Sequence, residues 1–247
     1  MKDEVETGIA LSSGAAFGAA HAGVLLAVEE AGLDVQLVAG CSAGALVGGV
    51  WAAGLPAAEI VDRLLVTGWP DFATVRPSRR CGLLDTAPLR ANLVETVGDA
   101  LIEDLPIRFG AVVTSLVDVR PHVVTTGPLV DALLASSAVP GLFPPVAVDG
   151  RSAVDGGVLL PRPARAAREM GARHVVSVVF GRGPRWRRWF ESRLYSQEDG
   201  GDAAVVIDTA GLSHWSNADV PALIDLGRRA GEAAISARGS AGLLRVV

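Results

Sequence analysis

The sequence predicts an α/β domain built around a mostly parallel sheet. Short apolar runs alternate with segments of helical spacing, and glycine-rich turns separate them. This repeated order of strand, glycine turn and helix is typical of parallel strands joined by crossover helices. The chain has 247 residues, of which 50% are hydrophobic and 20% charged, so it can bury a sizeable core.

The first two strand–turn–helix units lie near the N-terminus. The apolar run at 8–12 predicts a strand, and the spacing of 18–31 predicts a helix that Gly32 ends as a C-cap glycine. The run VQLVA at 35–39 predicts the second strand. A tight turn follows it, and then an apolar helix over 45–53.

The remainder of the chain continues this alternation. Thr86 with Pro88 indicates a helix start, and Gly171 indicates a helix end. The predicted helices are 56–66, 86–97, 127–137, 161–170 and 219–237, and the predicted strands are 108–116, 120–125, 151–154 and 174–180. Because no internal repeat or long linker interrupts this order, we expect a single domain over 1–247, with a helical C-terminal segment at 203–247.

The charge and the cysteine content exclude several classes of protein. The formal net charge is -5 and the pI is about 5.4, which argues against nucleic-acid binding by bulk positive charge. Cys41 and Cys81 are too few for a disulfide framework and lack CxxC spacing. The four histidines lack the spacing of zinc ligands, so no metal site is expected.

Two stretches without charged residues, 8–28 and 35–58, exceed the roughly 18 residues of a membrane span. Both are rich in Gly, Ala and Ser and lack continuous runs of Leu, Ile, Val and Phe, so we interpret them as buried segments of a globular domain. The chain begins MKDEVE, which is acidic where a signal peptide is basic. We therefore expect a cytoplasmic protein.

The strongest local motif is Gly40-Cys41-Ser42-Ala43-Gly44, which fits G-x-S-x-G. A serine at a sharp strand-to-helix turn has strained backbone angles, and its neighbours must be small because larger side chains would collide. The helix that follows offers N–H groups and partial positive charge to a developing oxyanion. The pattern is short and also fits a packed glycine-rich turn, but the flanking VQLVA and ALVGGVWAAG favour a nucleophile.

Two weaker motifs accompany this elbow. Residues 12–18 (SSGAAFG) form a loop that can bind an anion through backbone N–H groups or complete an oxyanion hole. Ala15 stands where G-x-G-x-x-G has its second glycine, which disfavours a dinucleotide fold. Asp155-Gly156-Gly157 can project a carboxylate into a cleft, although an ordinary Asp-Gly hairpin turn has the same sequence.

Taken together, these motifs resemble the patatin-like phospholipase family. GIALSSGAAFGAAHAGVLLAVEEAGL is similar to the family's first strand, oxyanion loop and helix, and GCSAGALVGGVWAAGL is similar to its nucleophile elbow. ALLASSAVPGLFPPV and AVDGGVLLPRPARAAREMGARHVVSV are similar to its later core block. The resemblance covers a motif-bearing core at about 8–179 and, more faintly, 219–237, is strongest to compact bacterial members, and implies a three-layer α/β/α fold.

The resemblance implies a serine hydrolase that cleaves lipid acyl esters (phospholipase, lysophospholipase or carboxylesterase type) without a metal or organic cofactor. By position, Ser42 matches the family's nucleophile and Asp155 its base, and the N–H groups of Gly14 and Ala15 match its oxyanion hole. An acyl-enzyme would form on Ser42 and then be hydrolysed by water. Burial would have to raise the pKa of Asp155 for this carboxylate to act as the base.

Two positions depart from the family's pattern. Phe17 stands where Arg or Lys precedes the last glycine of the oxyanion loop, and Leu160 stands where a polar residue follows the DGG motif. These departures motivate an alternative, a catalytically weak patatin-like protein that binds lipid or a protein partner. A Ser–His–Asp triad is a third hypothesis, because His174 and His214 follow Asp155 in the chain order of an α/β-hydrolase.

The segment 181–202 differs in composition from the rest of the chain. Within it, Trp186, Trp189 and Phe190 fall at helical spacing beside several arginines, which is the composition of an interfacial amphipathic helix. One interpretation is a lid or a membrane-contacting segment, which would make the protein peripheral at a membrane. There are two alternatives: these aromatics pack on the protein's own core, or they pack on a second subunit.

Overall fold

The structure is a computed structural model and describes residues 5–75, 83–181, 201–213 and 216–241. The strands within these ranges are β1 (Val5–Leu11), β2 (Leu37–Cys41), β3 (Thr74–Val75), β4 (Leu84–Asp85), β5 (Arg108–Ser115), β6 (Arg120–Val124), β7 (Val146–Val148), β8 (Arg151–Asp155), β9 (Ala172–Gly181) and β10 (Ala203–Asp208). The helices are α1 (Ala19–Glu30), α2 (Ala43–Ala52), α3 (Ala57–Val66), α4 (Trp69–Phe72), α5 (Ala87–Val97), α6 (Leu129–Ser136), α7 (Ala164–Glu169) and α8 (Val220–Ala241).

The central sheet has the order β10-β9-β1-β2-β5-β8-β7, and β6 also pairs with β5. Strands β10, β9, β1, β2 and β5 run parallel, whereas β6, β7 and β8 add antiparallel pairs at one side. The carboxyl ends of the parallel strands therefore meet at one edge of the sheet. We call it the carboxyl edge, and ligands of open α/β sheets bind there.

One junction in this sheet brings distant parts of the chain together. Strand β2 pairs with β5 up to Cys41 opposite Val112, and β8 pairs with β5 from Asp155 opposite Val113. Strand β6 occupies the other side of β5 over the same residues. Strand β8 therefore continues the row of β2 along one side of β5, and the end of β8 meets the end of β2.

Helices cover both faces of the sheet, which gives the three layers. Helices α1, α2, α6 and α8 pack with the larger apolar core, and α7 covers the opposite face through a smaller one. Two glycines set the close crossing of α1 and α8. A Cβ on Gly23 would lie 2.0 Å from the Ile224 carbonyl oxygen, and one on Gly227 would lie 1.9 Å from that of Ala20.

The α/β class, the parallel sheet and the alternation of elements are confirmed. Most predicted elements are present, with ends shifted by a few residues. The prediction of a helical segment at 203–247 is wrong at its start, because β10 occupies Ala203–Asp208 and pairs with β9 before α8 begins. Strand β7 (Val146–Val148) was missed between the prolines at 144–145 and the turn at 149–150.

The long uncharged stretches at 8–28 and 35–58 divide into buried strands, turns and helices of the sheet and its cover. None of the helices in the described ranges combines the length and apolar character that crossing a membrane requires.

Candidate active site

Ser42 lies at the sharp turn between β2 and α2, as the G-x-S-x-G motif predicts. Its φ of +53° and ψ of -120° lie outside the regions that non-glycine residues favour. A Cβ on Gly40 would lie 2.5 Å from Ala45 Cα, and one on Gly44 would lie 2.2 Å from the Leu11 carbonyl oxygen. Both positions therefore need glycine for the turn to fit against β1.

The structure brings Ser42 and Asp155 into direct contact. The Ser42 hydroxyl donates to Asp155 Oδ2 at 2.6 Å, and both residues are buried, with 8% and 5% of their surface exposed. This contact spans 113 residues of sequence. It follows from the junction at β5, where the chain arriving along β8 meets the chain leaving β2.

Hydrogen bonds hold both the carboxylate and the backbone of Asp155. Oδ1 accepts a hydrogen bond from the Gly157 amide at 2.6 Å, and the Asp155 carbonyl accepts one from the Thr114 hydroxyl at 3.0 Å. The Asp155 amide donates to the Ala138 carbonyl at 2.9 Å. The Gly157 amide thus fixes the carboxylate, and Thr114 and Ala138 fix the backbone that carries it.

Burial raises the pKa of Asp155 from 3.8 to about 6. The hydrogen bonds from Ser42 and Gly157 act in the opposite direction, because they stabilise the carboxylate form. A carboxylate with this pKa is ionised near neutral pH, yet it is a stronger base than an exposed aspartate.

The glycines of the DGG motif allow the turn after β8. A Cβ on Gly156 would lie 2.2 Å from the Val112 carbonyl oxygen, so this residue passes directly against β5. A Cβ on Gly157 would lie 2.9 Å from Asp155 Oδ1, the atom to which its own amide donates. The motif is therefore the end of a β-strand and a short 3₁₀ turn rather than a hairpin turn.

The loop at 12–18 follows β1 at the carboxyl edge, beside the elbow. The amides of Ser12 and Ser13 donate to the carbonyls of Val178 and Pro161, at 3.1 and 2.9 Å. In the described part of the chain, the next two amides, those of Gly14 and Ala15, donate to no protein acceptor. Two consecutive N–H groups are thus available to an anion next to β2.

Close packing holds this loop in place. Ala15 has a φ of +50°, and a Cβ on Gly14 would lie 2.3 Å from the ring of Phe180. A Cβ on Gly18 would lie 2.6 Å from Ala43 Cβ, the residue after Ser42. The loop is therefore seated on an aromatic ring of β9 at one end and on the elbow at the other.

Phe17 points into the core rather than into the cleft. It is 2% exposed, and its ring centroid lies 5.6 Å from that of Phe180. His21 packs on the other side of this cluster, 4.8 Å from the Phe180 ring, and its Nε2 lies 2.8 Å from the Ser12 carbonyl oxygen. Burial lowers the pKa of His21 to about 4, so its ring is neutral. An aromatic cluster thus occupies the position where the resemblance implies a cation.

Sequence reasoning missed Ser136, the last residue of α6. Its hydroxyl accepts a hydrogen bond from the Ser42 amide at 2.9 Å and donates to the Val112 carbonyl at 2.7 Å. Ser136 is completely buried. It therefore ties the strained elbow to β5 at the residue next to the partner of Asp155. The run ASSA in the third resembling block contains it, but nothing local distinguishes it from Ser137.

The histidines of the triad hypothesis do not reach Ser42 where the structure describes them. His174 lies opposite Thr7 at the start of β1, on the edge of the sheet away from Ser42. Its Nδ1 lies 3.8 Å from Asp202. A triad that uses His174 is therefore excluded by geometry, and His214 lies outside the described residues.

The cysteines and the aromatic segment complete the set of predicted residues. Cys41 is buried in the smaller core, and burial raises the pKa of its thiol. Cys81, Trp186, Trp189 and Phe190 lie outside the described residues. Across the described ranges, no cluster of three or more His, Cys, Asp or Glu side chains is placed to hold a metal ion.

A family model described as "Patatin-like phospholipase" matches residues 9–168. This match covers well over half of the chain and includes the loop at 12–18, the elbow and the DGG turn. The chain therefore belongs to the patatin-like phospholipase family, as the motifs predict.

Named relatives add detail to this assignment. The chain is 39% identical over 163 residues to an uncharacterized NTE family protein of Mycobacterium tuberculosis, in an alignment that covers 63% of this chain and 43% of that protein. It is 29% identical over 181 residues to neuropathy target esterase sws of Drosophila melanogaster, in an alignment that covers 70% of this chain and 13% of that protein. It is 30% identical over 180 residues to lysophospholipase NTE1 of Mycosarcoma maydis, covering 70% and 10%. The chain thus spans less than half the length of these relatives.

Solved structures share the fold at low sequence identity. VipD of Legionella pneumophila superposes with a TM-score of 0.55 at 13% identity, over 94% of this chain and 66% of that one. The heterodimeric complex ExoU–SpcU of Pseudomonas aeruginosa gives a TM-score of 0.53 at 16% identity, over 97% and 53%. The expected three-layer patatin-like fold is confirmed.

Proposed function

We propose that this chain is a serine hydrolase of lipid acyl esters, with Ser42 as the nucleophile and Asp155 as its base. The observation that carries the proposal is the buried hydrogen bond of 2.6 Å from the Ser42 hydroxyl to Asp155 Oδ2, at a strained strand-to-helix turn. Family membership supports lipid esters as the substrate class. The relative named as a lysophospholipase supports the same class.

In the first half-reaction, Asp155 Oδ2 accepts the proton of the Ser42 hydroxyl as Oγ attacks the ester carbonyl carbon. The carbonyl oxygen becomes an oxyanion, and we infer that the amides of Gly14 and Ala15, which have no protein acceptor in the described residues, bind it. When the tetrahedral intermediate collapses, the bond to the alcohol oxygen breaks, and that oxygen takes the proton from Asp155. An acyl group remains on Ser42.

The second half-reaction repeats these steps with water. Asp155 Oδ2 accepts a proton from water as its oxygen attacks the acyl carbonyl, and collapse releases the fatty acid and restores the Ser42 hydroxyl. A histidine is not needed, because the buried carboxylate with a pKa of about 6 accepts the proton itself. The Gly157 amide holds the carboxylate through both steps, and Thr114 holds the Asp155 backbone carbonyl.

The alternative is a weakly catalytic protein that binds lipid or a partner, and it rests on Phe17. The buried position of this ring supports the hydrolase, since Phe17 packs on Phe180 and does not occupy the hydrogen-bonding positions of the Gly14 and Ala15 amides. The two hypotheses differ in turnover. The weak binder predicts lipid binding without product.

The test is hydrolysis of lysophosphatidylcholine and of a short-chain p-nitrophenyl ester by the purified chain. Turnover that is lost in Ser42→Ala and in Asp155→Asn supports the proposal. Ser177→Ala is the matched control, because Ser177 is a second buried serine, on β9. Turnover that survives Ser42→Ala would exclude this serine as the nucleophile, and folded wild-type protein without turnover would favour the weak binder.

A further inference from the structure

Beyond Ser42 and Asp155, the antiparallel part of the sheet projects past the carboxyl edge. Strand β5 continues from Val113, the partner of Asp155, through the residues that pair with β6 and β8. The turn at 116–119, which we call the hairpin tip, begins three residues beyond Val113. At about 3.3 Å per residue, the tip lies roughly 10 Å further out than Asp155.

The hairpin tip exposes large apolar side chains. Leu116 is 46% exposed, Val117 72% and Val119 67%. Val119 has a φ of +53°, which is strained for a β-branched residue. An exposed valine in this conformation does not help the chain to fold, since glycine or asparagine would fit the turn with less strain. These exposed apolar side chains make the tip a candidate for a contact outside the chain.

Further exposed apolar residues lie near the same edge. Val158, 41% exposed, ends the 3₁₀ turn that follows Asp155. Leu83, 61% exposed, precedes Leu84, whose amide donates to the carbonyl of Leu142 in the loop after α6. Val158 thus adds an exposed apolar side chain three residues after Asp155.

The charges of the projecting strands suit the headgroup layer of a lipid surface. Arg120 begins β6 opposite Ser115, directly behind the tip, whereas Arg151 begins β8 level with Val117. The Asp118 carboxylate, which stands in the tip, lies 3.6 Å from Arg151, and a hydrogen bond from Ser115 is the main cause of its lowered pKa. Arg120 therefore lies behind the valines, at the depth of lipid phosphates, and Arg151 offsets the charge of Asp118 within the tip.

We propose that the hairpin tip docks on a lipid surface, with Val117 and Val119 entering the acyl boundary and Arg120 meeting phosphates. Docking in this orientation presents the carboxyl edge, and with it Ser42, to the lipids. The choice of lipid as the occupant rests on the proposed function. The exposed tip and its arginines do not depend on it.

The test measures flotation of the full chain with vesicles of phosphatidylcholine, alone and mixed with phosphatidylglycerol. Ser42→Ala is the background, so that the vesicles stay intact. Adding Val117→Asp with Val119→Asp should weaken vesicle partitioning at least about tenfold, because two side chains that would enter the lipid become charged. Val117→Trp should strengthen it several-fold. Leu101→Asp is the control, since Leu101 is exposed beside Pro128, at the far end of α6 from Ser42.

Soluble-ester turnover separates this proposal from the proposed function. With Ser42 restored, the double aspartate variant should hydrolyse a soluble p-nitrophenyl ester at the wild-type rate and lose activity on vesicle lipids. Equal vesicle binding by the Ser42→Ala protein with and without the two aspartates would overturn the docking proposal, as would no binding by either. If the two aspartates change the molecular mass in solution but not vesicle binding, the tip contacts a second copy of the chain. That result would also overturn the docking proposal. Absence of turnover on every ester would refute the proposed function. The docking proposal would then still be tested by the vesicle-binding result.

Discussion

Asp155→Asn should make the protein more stable at neutral pH, and by an amount that depends on pH. Asparagine has nearly the same size, its Oδ1 can accept from the Gly157 amide, and its NH₂ group can donate to Ser42 Oγ. The substitution therefore removes a buried negative charge with little change in packing. The buried charge is unfavourable, as the raised pKa of Asp155 indicates.

The magnitude follows from that pKa. Raising it from 3.8 to about 6 makes ionisation of Asp155 about 3 kcal/mol more costly in the folded protein than in the unfolded chain. Because the folded state then binds this proton more tightly, the contribution of Asp155 to stability falls as pH rises between about 4 and 6. Asp155→Asn lacks this loss, so its advantage over the wild type should grow by about 2 to 3 kcal/mol from about pH 4 to pH 7.

The assay is urea unfolding of both proteins at several pH values, with the difference in free energy of unfolding plotted against pH. Asp62→Asn, at an exposed aspartate of α3, is the control for removing a carboxylate at the surface. A flat difference for Asp155→Asn would refute the argument, because it would mean that burial does not raise the pKa of this carboxyl. The same pKa predicts that wild-type kcat/KM falls about tenfold per pH unit below about pH 6, where the base becomes protonated.

Three further substitutions test the parts of the site that hold the dyad. Ser136→Ala leaves the Ser42 amide without its partner, so we expect a loss of about 2 kcal/mol in urea unfolding and a fall in kcat with KM unchanged, whereas Ser137→Ala should change kcat little. Gly14→Ala places a Cβ 2.3 Å from the ring of Phe180, and the displaced loop should lower kcat about 100-fold while the pH profile stays the same. Phe17→Arg buries a cation in the aromatic cluster, so it should lower the free energy of unfolding by about 3 kcal/mol or more. We expect no rise in esterase activity. Higher activity would mean that the family's cation acts in the cleft.

The elbow was predictable from sequence because its requirements are local. The strained Ser42 needs small neighbours at fixed spacing, and Gly40 and Gly44 stand at those positions with an apolar strand before them and a helix after them. The same holds for the helix end at Gly32, which has a φ of +62°. Such features carry their cause within a few residues of sequence.

The partners of Ser42 were less predictable because their cause is topological. Asp155-Gly156 resembles a hairpin turn on sequence alone, and only the alignment of β8 with β2 along β5 brings its carboxylate to Ser42. Family resemblance supplied Asp155. It did not supply Ser136, whose hydrogen bonds reach residues 94 and 24 positions away.

The outermost strand, β10, was also hard to predict because its conformation depends on a neighbouring strand. Strand β10 has the run AAVVID, which alternates buried and partly buried residues, but it follows a stretch of unusual composition and precedes a long helix. Its strand conformation depends on pairing with β9, from Ala203 opposite Val176 to Asp208 opposite Gly181. The conformation of such a short run depends more on the strand that it pairs with than on its own residues.

The central claim is that Ser42 is a nucleophile activated by Asp155, and fluorophosphonate labelling tests it most directly. The purified chain would be labelled near neutral pH and the adduct mapped by mass spectrometry, with Asp155→Asn and Ser177→Ala alongside. The account predicts one adduct, on Ser42, that forms at the wild-type rate in Ser177→Ala and at least about 100-fold more slowly in Asp155→Asn. A folded protein that gains no adduct on Ser42, or that labels equally fast without the Asp155 carboxylate, would contradict it.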